Sequence, residues 1–307
     1  MTGGPCLDYV AQVRVGIVIL PEYRWQQAAP RWRAAEEYGF AHAWTYDHLG
    51  WRTLVDGPWF DAVPTLTAAA TVTERIRLGT FVASPNFRHP VSFARSLLSL
   101  DDVAGGRFVL GVGAGALHGY DNLVLGGREL APKVRVDRFT EFLELTDALL
   151  TGERTSYAGT YYTAEQARSA PGCVQRPRLP FLVAATGRRS MRLAARFGQG
   201  WVTTGSPHTD DVAGWWRAVA ERAEQFDEVL AEQGRDRATV DRFVSVDTTG
   251  RYSLVSVEAF RETLGRAGEL GFTDVVVHWP RPDGPFAGSE SVLERVAAEV
   301  LPTVGRV

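Results

Sequence analysis

Asp47 and His48 stand side by side, one residue past a strand-length run at 41–45. An imidazole changes charge near neutral pH and is the natural proton donor of an enzyme site. Adjacent side chains on an extended segment point to opposite sides, so no relay is expected between these two. One is expected to bind the edge of a cofactor while the other faces substrate; the competing reading has Asp47 capping a turn and His48 packed against it. A second group is Gly111-Val112-Gly113-Ala114-Gly115, with His118 close behind. Gly113, Ala114 and Gly115 let the backbone approach a flat ligand, or they make a tight strand-to-helix turn. The spacing does not fit the dinucleotide fingerprint. A third group is Thr186-Gly187-Arg188-Arg189-Ser190. Open backbone N–H groups at a helix start, two guanidinium groups and two hydroxyls make an anion site suited to a cofactor phosphate. Its alternative is a helix capped by Thr186 or Ser190, with solvated arginines.

The residues from Ser84 to Pro90, Ser-Pro-Asn-Phe-Arg-His-Pro, follow an apolar strand and precede a helix. Pro85 and Pro90 each fix φ and remove a backbone donor, so the chain is held in a set shape at a strand end.

Strand-length apolar runs alternate with helical patterns along the chain. Strands are expected at 13–20, 41–45, 76–82, 107–111, 180–185, 200–204, 242–247 and 273–278. Helices are expected at 28–38, 60–72, 93–103, 134–150, 190–197, 210–233, 257–270 and 290–300. Strict alternation predicts an α/β fold with a parallel sheet, here a (β/α)8 TIM barrel formed by residues 1–307 as a single domain. An open doubly wound sheet is the alternative. An insertion segment around residues 151–178, rich in Gly, Tyr and Pro, is expected to form a hairpin and a loop over one face. In a barrel the residues just past each strand share one face, which collects Tyr46-Asp47-His48, Ser84-Pro85-Asn86, the glycine turn, Thr186 to Ser190, Asp247 and His278.

Composition removes several function classes. The chain has 307 residues, 45% hydrophobic and 22% charged, with a net charge of -3 from 33 basic and 36 acidic residues. No basic stripe points to nucleic acid. No apolar run is long enough for a membrane span, and no signal peptide is visible. Cys6 and Cys173 are too few for a disulfide framework or a thiolate metal site, and no histidines pair at i, i+4, so no metal is expected. No nucleophile elbow or phosphate-binding Gly-Lys-Ser/Thr loop appears, which disfavours a hydrolase or a kinase. The expected setting is the cytoplasm with reduced thiols. Tyr23, Trp25, Trp51, Trp59 and Tyr120 fall in loops, where they either line a pocket for a bulky small-molecule substrate or simply pack.

Residues 36–48, 75–80 with 84–90, 100–115, Gly159-Thr-Tyr-Tyr162, 175–180, and 189–196 with Gly200-Trp201 together resemble the bacterial luciferase-like flavin oxidoreductase superfamily over nearly the whole chain. The resemblance implies a TIM barrel that binds a flavin or deazaflavin at the strand C-terminal ends. Trp44-Thr-Tyr-Asp-His48 is most similar to members that use the deazaflavin coenzyme F420, where the aspartate and histidine lie beside the ring. It further implies a non-proline cis peptide near the end of the third strand, from Phe81-Val82 up to Ser84, against the ring. Asn86, Gly113, Ala114 and Gly115 belong to the same implied cofactor site. Ala184, Ala185, Thr186, Gly187, Arg188, Arg189 and Ser190 are implied to hold the cofactor tail and phosphate. One departure is informative. Related sugar-phosphate dehydrogenases carry a glutamate just after the glycine turn, where this chain has Ala116. That argues against sugar-phosphate oxidation and moves the proton-donor role to His48 and His118.

The expected activity is hydride transfer between F420 and a small organic substrate, at an activated C=C or C=N bond, with His48 as proton donor. The second reading is an FMN-dependent monooxygenase that forms a flavin C4a-peroxide and is served by a separate flavin reductase. The third is a non-catalytic flavin-binding barrel. A homodimer is implied by the resemblance.

Overall fold

Arg14-Val-Gly-Ile-Val18 is buried after its first residue, and His42-Ala-Trp-Thr45 is buried throughout. Strands buried on both faces need helices outside and side chains inside, which is the construction of a parallel barrel. The computed structural model describes residues 13–115, 119–205, 211–247 and 252–305. Its strands are β1 (Arg14–Val18), β2 (His42–Thr45), β3 (Arg77–Thr80), β4 (Phe108–Gly113), β5 (Arg154–Ala158), β6 (Thr163–Arg168), β7 (Phe181–Ala184), β8 (Gly200–Thr203), β9 (Asp241–Ser245) and β10 (Asp274–His278). All but β5 and β6 close into one barrel in the order β1-β10-β9-β8-β7-β4-β3-β2. Closure is read at Gly16, which lies opposite Val276 on one side and His42 on the other. β5 and β6 form an antiparallel hairpin within the insertion, as expected.

The barrel interior alternates large and absent side chains. A Cβ on Gly79 would come 2.3 Å from Trp44 Cζ3, and one on Gly16 would come 1.7 Å from His42 Nδ1. Trp44, Val109, Leu182, Phe243 and Val276 fill the space those glycines leave. Outside the strands, Trp32, Leu66, Leu97, Phe142, Phe226 and Phe260 seat the helices.

One helix boundary differs from expectation for a clear physical reason. The helix expected from residue 93 runs from Pro90 to Val103: proline at the first helical position has its φ preset and no donor to waste. His89 caps it, its side chain accepting from Val91 N at 3.3 Å. Pro90 therefore starts a helix and does not stiffen the strand-end turn. A short helix, Tyr120–Val124, was not expected at all.

The lower end of the barrel carries a buried charge network. Trp44 Nε1 donates to His42 Nδ1 at 2.6 Å, which leaves His42 Nε2 to donate to Asp274 Oδ1 at 3.0 Å. Arg14 grips both oxygens of Asp274, Nε at 2.8 Å and Nη2 at 2.6 Å. Burial pushes the Asp274 carboxyl up, but His42 and Arg14 outweigh it and hold it below its usual 3.8. A depressed native pKa gives stability that is present above the unfolded value and lost as pH falls through the native one. We expect Asp274→Ala to cost about 3 kcal/mol in urea unfolding at pH 7, because it removes the buried acceptor of His42 and of two Arg14 donors, although Arg14 keeps Asp241 at 2.7 Å. The penalty should shrink below about pH 3.8; an unchanged penalty there would count against the network.

Candidate active site

The C-terminal ends of the barrel strands open into a cavity of about 580 Å³. One wall is made of very small residues: Gly113, Ala114 and Gly115 past β4, with Ala184 and Ala185 past β7. Their size is enforced. A Cβ on Gly113 would lie 3.1 Å from Val82 Cγ2 and 3.3 Å from Ala184 Cβ. Gly115 has a φ of +82°, and a Cβ there would come within 2.5 Å of Asn86 Nδ2. Phe81, Val82 and Ser84 continue this wall, and the Phe81–Val82 peptide bond is cis.

At one end of the cavity lie Thr186, Gly187 and Ser190. They open the helix Arg188–Phe197, which has no side-chain cap. The first-turn N–H groups of such a helix lack intrahelical partners and sit at the positive end of its dipole. Arg135, on the helix Pro132–Thr151, lines the same cavity. Its Nη1 donates to Gly115 O at 2.7 Å, while its buried Nε makes no hydrogen bond among the described residues. Burial lowers the guanidinium pKa, and Arg138 nearby lowers it further.

Arg188 and Arg189 are not part of this end, contrary to the sequence reading. Arg188 is exposed and paired with Glu228 and Glu232, and Arg189 is paired with Asp137. The first helical positions project these two side chains outward, where acidic groups of neighbouring helices take them. The cations lining the cavity are Arg135 and, beside Trp51, Arg52, neither singled out from the sequence.

At the other end His48 lines the cavity, with Nδ1 2.7 Å from Asp121 Oδ2. Asp121 sits on the short helix Tyr120–Val124 and is only 2% exposed. Its other oxygen accepts Leu49 N at 2.7 Å. An acceptor carboxylate places the proton on Nδ1 and leaves Nε2 as the uncommitted ring nitrogen. Trp59 Nε1 donates to His48 O at 2.8 Å, fixing the backbone as well.

Asp47 and Asn86, expected beside a cofactor, do not line the cavity. Asp47 is 1% exposed and holds Arg88 in a fork, Nη2 at 2.6 Å and Nε at 3.1 Å. Burial pushes its carboxyl above the usual range even though Arg88 pulls it down. Alternation along the chain thus separates the adjacent pair, as expected, but sends Asp47 to a structural ion pair. Asn86 lies behind Gly115 and accepts from Arg138 Nη2 at 2.6 Å. His118 and Ala116 lie outside the described residues.

The remaining wall is aromatic. Trp51 and Phe286 stack with centroids 6.0 Å apart, and Tyr46 meets Trp51 edge-on at 5.1 Å. Phe286, absent from the sequence reading, is carried by a loop that Arg281 ties to Glu22 through two hydrogen bonds, at 2.8 and 2.9 Å. Of the loop aromatics singled out from sequence, Trp51 lines the cavity, whereas Tyr23, Trp25, Trp59 and Tyr120 do not. Among the described residues no cluster could hold a metal ion, and no helix is long and apolar enough to cross a membrane.

Comparison with known proteins agrees with this architecture. A relative from Beutenbergia cavernae, an F420-dependent glucose-6-phosphate dehydrogenase, is 32% identical, the match covering 87% of this chain and 90% of the relative. A 4-hydroxyprotoasukamycin monooxygenase from Streptomyces nodosus subsp. asukaensis is also 32% identical, over 67% of this chain and 53% of its own length. Among solved structures, an F420-dependent secondary alcohol dehydrogenase in complex with an F420-acetone adduct superposes with a TM-score of 0.78. It is 18% identical over 95% of this chain and 99% of its own, which speaks to the fold. The family model described as luciferase-like monooxygenase matches residues 8–277, and the chain belongs to that family.

Proposed function

We propose that the protein is an F420-dependent oxidoreductase that moves a hydride to or from a small organic substrate, with His48 on the proton. One observation carries this reading: a single cavity has a cationic, uncapped helix start at one end and a carboxylate-held imidazole at the other, joined by a wall of Gly and Ala. A flat ring with an acidic tail fits that sequence of surfaces. Gly113, Ala114, Gly115, Ala184 and Ala185 would accept the ring, and Arg135 with the 186–190 turn would take the tail, since Arg135 lines the cavity beside that turn with its guanidinium anchored on Gly115 O. When bound, the deazaflavin supplies the hydride chemistry. The protein orients substrate against the aromatic wall, excludes water and, with the His48 Nδ1–H held on Asp121, leaves Nε2 to exchange the proton. A homodimer in the cytoplasm completes the proposal, with a flavin reductase needed only if the cofactor is FMN.

The direct test is absorbance titration of the purified protein with F420 and, separately, with FMN. Saturable F420 binding with no oxygen uptake is the expected result. Tight FMN binding, indifference to F420 and oxygen consumption on reduction would replace this reading with a monooxygenase. Gly113→Val adds a control on placement. Its side chain must occupy the cavity wall, so F420 affinity should fall at least about tenfold, or 1.4 kcal/mol; crowding against Val82 and Ala184 should also lower stability by about 1–3 kcal/mol, so affinity is compared well below the variant's Tm. Wild-type affinity in that variant would remove the wall from the cofactor site.

A further inference from the structure

A second chain of buried polar groups reaches the same cavity and takes no part in the reading above. Asp247 receives the backbone N–H of His278 at 2.7 Å and His278 Nδ1 at 3.2 Å on one oxygen, and Ser253 N at 2.8 Å on the other. His278 Nε2 lies 2.8 Å from Tyr46 Oη. The imidazole is fixed on every side: it is 1% exposed and stacks on Phe286 at 3.7 Å and 8°. Tyr252 Oη donates to the His278 carbonyl at 2.7 Å. Tyr46 and Asp247 line the cavity.

The carboxylate sets the direction of the chain. Asp247 only accepts, so His278 carries its proton on Nδ1 and offers the Nε2 lone pair to the Tyr46 hydroxyl. Tyr46 then spends its own proton on His278, and its oxygen keeps lone pairs to accept another. That is a base arranged to receive a proton from a hydroxyl, in the manner of a nucleophile–imidazole–carboxylate relay.

We infer that Tyr46, His278 and Asp247 form a proton relay for a hydroxyl/carbonyl substrate pair: Tyr46 is the catalytic residue that exchanges the substrate O–H proton, and His278 and Asp247 are its positioning residues. The inference rests on the F420 reading and narrows it, replacing the C=C or C=N bond expected from sequence with C=O and leaving His48 the proton exchanged with the cofactor, not that of the substrate hydroxyl. In oxidation the carbinol C–H bond breaks and its electron pair leaves as hydride to the oxidised deazaflavin. The O–H bond breaks and its proton goes to Tyr46 Oη, while the Tyr46 proton passes to His278 Nε2. A C=O bond forms, and the imidazolium lies against the Asp247 carboxylate. Reduction runs each transfer backwards. Burial raises the Tyr46 phenol well above its ordinary pKa, and Asp247 nearby adds to that, although Arg52 opposes it. A phenolate is therefore not a resting state, and the two proton transfers must be coupled.

The test uses the protein with reduced F420 and cyclohex-2-en-1-one, which offers both bonds in one molecule. The expected product is the allylic alcohol; Tyr46→Phe should lower its formation at least about 100-fold, with F420 affinity within about threefold of wild type. In the cofactor-free protein, proton NMR should show a low-field Nδ1–H resonance of His278 that Asp247→Asn removes and Tyr46→Phe keeps. Saturation of the ring double bond, no alcohol, unimpaired alcohol formation by Tyr46→Phe, or absence of the resonance would each overturn the inference while F420 binding stands. Failure of the unmutated protein to bind F420 overturns the function reading, and this inference falls with it.

Discussion

His48→Gln is expected to lower kcat by about 10²–10⁴-fold, the usual weight of a positioned acid or base, with F420 affinity held within about threefold. The expectation follows from where His48 sits. It lines the cavity, Asp121 holds its Nδ1 at 2.7 Å, and Nε2 is left for the reacting molecule. Glutamine keeps the size and the hydrogen-bonding edge but cannot deliver a proton at neutral pH. Asp121→Asn should act more gently, lowering kcat about tenfold. The carboxylate now serves two donors, His48 Nδ1 and Leu49 N, whereas an amide has one oxygen to offer and leaves one donor unmet. Single-turnover kinetics with reduced cofactor would separate these effects from binding. Turnover by His48→Gln within threefold of wild type would remove His48 from the proton step, and an Asp121→Asn loss equal to that of His48→Gln would mean the aspartate does more than orient.

The barrel was legible because it depends on local signals. Apolar runs of strand length alternating with helical patterns specify parallel strands and crossover helices without knowledge of any contact. Small residues were legible for the same reason: Gly113 and Gly115 can be recognised in the chain as places where backbone must come close. What the sequence hid are partners separated by long stretches of chain. Asp121 meets His48 across 73 positions, and Tyr46 meets His278 across 232. No spacing rule connects such residues; only barrel closure does. The Arg188–Arg189 pair misled for the opposite reason. Its local signal was strong, but a helix start fixes where backbone N–H groups point, not where long side chains go, and Glu228, Glu232 and Asp137 lay out of sight of any local motif.

That contrast gives the second large effect. Arg135→Ala should weaken F420 binding by about ten- to a hundredfold, while Arg188→Ala and Arg189→Ala each leave it within about threefold. A charge-assisted hydrogen bond is worth about 1.5–3 kcal/mol, and each 1.4 kcal/mol is tenfold in affinity. Arg135 lines the cavity and its guanidinium is held in place by Nη1 donating to Gly115 O at 2.7 Å, so an anion in the cavity meets a fixed, partly desolvated cation. Arg188 and Arg189 are already neutralised by acids at the surface, and an anion in the cavity would have to pull them away. Salt adds a second, independent sign. Screening weakens exposed pairs far more than enclosed ones, so F420 affinity carried by Arg135 and the 186–190 turn should fall only modestly between 0.05 and 0.5 M salt, about tenfold or less. Arg135→Lys separates charge from shape: lysine restores the charge but not the fork, and should recover part of the lost affinity. Equal losses in all three alanine variants would return the tail site to the exposed arginines, and the geometry of the cavity would then have to be reassigned around them.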